Sequence, residues 1–102
     1  MDMRLVLVTH PSKEHAERIT RDVIAAKLAA CVLVTDVKSF YNWEGILNED
    51  DEVVTILKTS TNKVTDLEKY IETNHDYDIP AIITLQANAI ESYRNWLNDQ
   101  LN

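Results

Sequence analysis

The sequence predicts a single α+β domain, a split βαβ sandwich in which four strands are interleaved with two helices and a third helix is appended at the C-terminus. Short apolar runs rich in valine, leucine and isoleucine recur along the chain, and amphipathic segments at helical spacing separate the first run from the second and the third from the fourth. A chain of 102 residues has room for one core only. No linker, repeat or low-complexity stretch divides it, so the domain is expected to span residues 1–102.

Met3 to Thr9 reads as a strand buried on both faces, ended by His10-Pro11-Ser12. Ser12 suits an N-cap, and Glu14 and Glu17 fall in the first turns, where the helix dipole favours carboxylates. Ala16, Ile19, Val23, Ala26 and Ala30 recur at helical spacing, with Ile24 and Leu28 widening the stripe, so the first helix is expected from about Lys13 to Ala29. Cys31 to Tyr41 reads as the second strand and Val53 to Thr59 as the third, with the turn at Asn48-Glu49-Asp50-Asp51. The only glycine, Gly45, reads as a bulge within this aromatic-rich hairpin. Ser60 or Thr61 is expected to cap a second helix that turns Val64, Leu67 and Ile71 to the core and ends near Asn74. Pro80 can start a fourth strand over Ala81 to Gln86. Glu91 to Leu101 is the last helix, with Tyr93, Leu97 and Leu101 on one stripe and Trp96 beside them.

This order is that of a ferredoxin-like split βαβ sandwich with a long strand 2–3 hairpin and an appended C-terminal helix. Right-handed crossovers are expected to set strands one and three side by side and parallel, with strand four antiparallel to strand one on its other side. His10, at the end of strand one, then lies near the segment His75-Asp76-Tyr77-Asp78-Ile79-Pro80 that leads into strand four.

Composition narrows the function. A net charge of −7 argues against nucleic acid, because phosphate binding needs a basic face and the lysines and arginines are scattered among acids. No run approaches the ~20 apolar residues of a membrane helix, the N-terminal run is too short for a signal peptide, and one cysteine cannot form an internal disulfide. The expected compartment is the cytoplasm. With one glycine there is no phosphate-cradling loop, and no serine has a nucleophile-elbow setting, so an enzyme is not expected. His10 and His75 are the candidate metal ligands, because neutral imidazole suits copper, zinc and nickel and the topology brings their loops together. His15 reads as a surface residue and Cys31 as a small core residue. The acids Glu49 to Glu52 read as a solvated hairpin tip.

Leu28-Ala29-Ala30-Cys31-Val32, Ser39-Phe40-Tyr41-Asn42-Trp43-Glu44-Gly45, Ile56-Leu57-Lys58-Thr59, His75-Asp76-Tyr77-Asp78-Ile79-Pro80-Ala81-Ile82 and Tyr93-Arg94-Asn95-Trp96-Leu97, with Val8-Thr9-His10-Pro11-Ser12, stand in the order and spacing of the CutA family of divalent-cation tolerance proteins, which the chain resembles nearly throughout. The resemblance implies a homotrimer and a role in tolerance of copper and other divalent metals, with copper(II) or another divalent cation held weakly and not required for folding. His75 matches one of the family's proposed copper ligands, while Val8 and Asn74 replace a cysteine and a histidine found in some bacterial members. Asp76 stands where the family usually has proline, and Ala81 where it usually has glutamate. The resemblance also places Tyr41, Trp43, Glu44 and Lys58 near a cleft between subunits, which gives the alternative function of a PII-like small-molecule sensor or scaffold; an ion pair between Lys58 and Glu44 is the structural reading of the same residues.

Overall fold

A computed structural model describes residues 3–102. The elements run β1 (Met3–His10), α1 (Lys13–Ala25), β2 (Cys31–Trp43), β3 (Ile46–Ser60), α2 (Val64–Asn74), β4 (Ile82–Ala87) and α3 (Glu91–Leu101). One four-stranded sheet has the order β2-β3-β1-β4, and every neighbouring pair is antiparallel. The parallel pairing expected for strands one and three is therefore wrong. The α1 crossover returns β2 in the same direction as β1 but one place further out, and β3, joined to β2 by a tight hairpin, enters the gap and must oppose both.

The hairpin departs most from the sequence reading. Its turn is not at Asn48 to Asp51 but at Glu44 and Gly45, with φ of 53° and 78°, between the paired residues Trp43 and Ile46. Two successive residues at positive φ make the two-residue loop whose twist matches that of the flanking strands, so Gly45 serves the turn and is not a bulge. Strand β3 consequently begins at Ile46, and the acidic run lies inside it, where Lys38 on β2 reaches Glu49 at 3.5 Å and Asp51 at 3.8 Å. Glu44 carries a side chain in the left-handed region, which asparagine adopts at lower cost. Glu44→Asn is expected to raise stability by up to about 1 kcal/mol in chemical denaturation.

Helix α1 stops at Ala25, earlier than the apolar stripe. Lys27 takes φ 58°, its N–H bonds Ile24 O at 3.1 Å and the Leu28 N–H bonds Val23 O at 2.9 Å, which is a Schellman closure with lysine where glycine is usual. Helix α2 begins at Val64 behind Lys63, so neither Ser60 nor Thr61 is its N-cap. Helices α1 and α2 cover one face of the sheet, burying Ile19, Val23, Leu67 and Ile71 against Val6, Val8 and Leu57. Helix α3 covers only one end of the other face, where Leu97 and Leu101 meet Met3.

Two apolar surfaces remain open. On the face away from α1 and α2, the register aligns Leu33, Ile56, Leu7 and Ile83 in one row across all four strands. Leu33 and Ile83, at its ends, are 49% and 50% exposed. Strand β1 pairs with β3 only from Val53 onward, so Ile46 to Glu52 pair with β2 alone and form a two-stranded projection that carries exposed Phe40, Trp43, Ile46 and Leu47. A two-stranded ribbon is marginal in water unless something packs on it.

Candidate functional site

His10 closes β1, His15 lies in the first turn of α1, and His75 caps the C-terminus of α2. The Ser12 hydroxyl accepts the His15 N–H at 3.1 Å, which fixes the entry into α1 and turns His15 inward. The three rings have centroid separations of 4.5 to 5.4 Å, and one ligating nitrogen from each lies within 4.8 Å of the others. His10 is fully buried and His15 is 5% exposed, which corrects the surface position expected for His15. The signal was present in the sequence, since His15 stands four residues before Ile19 and eight before Val23, on the buried stripe.

Hydrogen bonds determine the tautomers. The backbone N–H of Asp76 donates to His15 Nε2 at 3.2 Å, so the His15 proton sits on Nδ1 and is given to His10 Nδ1 at 2.9 Å. His10 then carries its own proton on Nε2 and donates to the Thr55 hydroxyl at 2.7 Å. The Tyr77 N–H donates to His75 Nδ1 at 3.0 Å, leaving His75 Nε2–H to donate to Thr9 O at 2.8 Å. Every ring nitrogen is engaged in this network, and the His10 and His15 rings are neutral. Burial, then the neighbouring His15 and His75, pushes the His10 pKa from 6.5 down to about 3. Burial and His75 also lower His15, against the partial support of the Asp76 carboxylate.

The chemistry of the donor set fits a divalent cation, with three imidazole nitrogens converging at one end of the sheet. An ion would have to take lone pairs that now accept from Asp76 and Tyr77 N–H groups, so its entry requires that segment to give way.

The other expected set does not assemble within one chain. Tyr41 pairs with Asn48 near the hairpin tip, whereas Lys58 pairs with Cys31 at the far end of the same ladder. Ten residues of extended strand separate the two positions, roughly 33 Å. Glu44 sits in the turn, so no Lys58–Glu44 ion pair forms within the chain. Lys58 Nζ instead donates to the Tyr93 hydroxyl at 3.2 Å and lies 5.2 Å from that ring's centroid, a cation–π contact that compensates part of its desolvation. Cys31 is half-buried beside it and not in the core.

Tyr41 and Trp43 belong to a different cavity, of about 720 Å³, between the projecting hairpin and residues 76–81. There the Tyr41 hydroxyl donates to Asp50 at 2.5 Å and the Tyr77 hydroxyl to Glu52 at 2.6 Å, while Ser39 donates to the other Glu52 oxygen. The hydrogen bond to Asp50 raises the Tyr41 pKa, and burial, followed by the bond to Glu52, raises that of Tyr77.

A ferredoxin-like sheet with a histidine cluster at one end and a projecting hairpin defines the class. The profile of the CutA1 divalent ion tolerance protein family matches residues 4–100. The chain is 36% identical over 99 residues to the divalent-cation tolerance protein CutA of Pyrococcus horikoshii, covering 96% of this chain and 97% of that protein. It is 35% identical to the Thermus thermophilus protein of the same name, covering 93% of this chain and 94% of that one. Among solved structures, CutA of Archaeoglobus fulgidus superposes with a TM-score of 0.94 at 30% identity, covering 98% of this chain and 99% of that one. The chain belongs to the CutA1 family.

Proposed function

We propose that this protein is a non-enzymatic, homotrimeric, cytoplasmic participant in divalent-cation tolerance that binds copper(II), or another divalent cation, through His75 and His10, with His15 completing the ligand set. One observation carries the reading: three imidazole nitrogens from three separate elements lie within 4.8 Å of one another. Divalent affinity at nitrogen sites rises to copper and then falls at zinc. The relatives from Pyrococcus and Thermus carry divalent-cation tolerance in their names. Because internal hydrogen bonds already satisfy each ring nitrogen of the cluster, the ion is not needed for folding and competes with those bonds, which makes the affinity modest. The open Leu33–Ile83 row and the bare hairpin support assembly. Among the described residues no helix is long and apolar enough to cross a membrane, and a lone half-buried cysteine suits a reducing compartment.

Calorimetric titration of tag-free protein with copper(II) at pH 7 tests the ligand set. Saturable binding is expected, stronger than for zinc and lost in His75→Ala. An unchanged affinity in that variant removes the metal reading. The second reading, a PII-like small-molecule sensor or scaffold, then takes its place; it is favoured by the committed ring nitrogens and by the cavity beside Tyr41 and Trp43. Light scattering should give three times the 11.7 kDa of one chain, and a monomer at micromolar concentration would refute the assembly.

A further inference from the structure

We infer that the cavity between the β2–β3 hairpin and residues 76–81 is a receptor for a small organic cation, an alkyl diammonium in chemical class. Its volume of about 720 Å³ lies in the range of small-molecule sites. Tyr41 and Trp43 form the hairpin wall and Tyr77 the opposite wall, so aromatic rings are presented from both sides. Asp50 and Glu52 stand on the strand side, Asp76 and Asp78 on the loop side, and among the described residues that line the cavity there is no lysine or arginine. Arg18, 3.9 Å from Asp76, is the cation paired with that carboxylate and leaves the other three uncompensated by it.

Tyr41 donates to Asp50 within the hairpin wall, and Tyr77 reaches from the loop wall across to Glu52 on the strand side. The Tyr41–Asp50 bond holds a ring beside a carboxylate on the hairpin wall, and Asp76 and Asp78 flank Tyr77 on the loop wall, so each wall offers carboxylate and aromatic ring together. Ring faces attract ammonium groups through their quadrupole. A bare divalent ion would use the oxygens and gain nothing from the rings, because magnesium and calcium take oxygen ligands throughout their coordination shell. An ammonium group carried on an alkyl chain uses both, and carboxylates on opposite walls match a charge at each end. The arrangement makes no use of the imidazoles, none of which lines the cavity, so its failure would leave the metal reading standing.

The test is calorimetric titration of the assembled protein with 1,5-diaminopentane, with pentane-1,5-diol as the uncharged analogue and magnesium as the ring-indifferent cation. The diamine is expected to bind saturably, the diol not to bind, and magnesium to bind more weakly than the diamine. Trp43→Leu should weaken the diamine about five-fold, the loss of one cation–π contact, without changing the weak magnesium response. Asp78→Asn, whose side chain stands at the exposed loop, should weaken both cations. Light scattering on each variant confirms that the assembly is retained. Equal heats from diamine and diol, magnesium binding as tightly as the diamine, or unchanged diamine affinity in a correctly assembled Trp43→Leu protein would each overturn the proposal.

Discussion

Leu33→Asp combined with Ile83→Asp is expected to release folded monomers from the proposed trimer. The two residues end the row Leu33–Ile56–Leu7–Ile83, which runs across every strand on the face that α1 and α2 leave bare. Each is about half exposed in the isolated chain, so aspartate there stays hydrated and the monomer fold tolerates it. Against another subunit the same carboxylates lose water without a partner, a penalty on the order of several kcal/mol for the pair. That is enough to dissociate a trimer at micromolar concentration, because each 1.4 kcal/mol is about a tenfold change in affinity. Asn62→Asp with Thr65→Asp, on the exposed side of the second crossover, adds the same charge elsewhere and should leave the mass unchanged. If the Leu33/Ile83 variant kept the full scattering mass, the row would not be the assembly surface, and the projecting hairpin would remain as the alternative.

Periodicity made the element order legible, because β1, α2, β4 and α3 each carry an apolar pattern of the right period within a residue or a few of their observed limits. What it misplaced has a local cause in each case. The α1 terminus is closed by Lys27 at positive φ, and lysine gives none of the warning that glycine would. The hairpin turn was hidden because Glu44-Gly45 is short and flanked by aromatics, while four acids in a row mimic a turn although they lie on a ribbon with no buried face. The strand direction was an error of topology rather than of pattern. At the candidate site, the meeting of His10 and His75 followed from the order of the elements. His15 was overlooked although it occupies the buried stripe of α1, because a histidine in a helix's first turn is ordinarily solvated. That Lys58 and Tyr41 lie at opposite ends of one ladder depended on the true turn position, which the sequence reading had displaced.

Acid is expected to destabilise this protein through the buried His10 and His15. The folded cluster holds His10 neutral, with a pKa lowered from 6.5 to about 3, whereas the unfolded chain protonates it near 6.5. The unfolded state therefore binds more protons between those values, so stability is complete above pH 6.5 and is lost as the pH falls. The slope is about 1.4 kcal/mol per pH unit for His10, hence about 2 kcal/mol by pH 5. His15, also lowered, adds to the loss, less so because a proton on Nε2 would gain the Asp76 carboxylate at 3.8 Å. The geometry explains the direction: a proton on His10 Nδ1 would face the donated His15 Nδ1–H, and one on His15 Nε2 would face the Asp76 N–H, each placing donor against donor. Denaturant unfolding at pH 7, 6 and 5, at one protein concentration because the proposed trimer would link stability to it, should show this decline in the wild type. His10→Gln should begin less stable at pH 7 and decline more gently. Parallel declines in the two proteins would show that the cluster is not the acid-sensitive element, and that His10 can be protonated inside the fold without disturbing Thr55, His15 or His75.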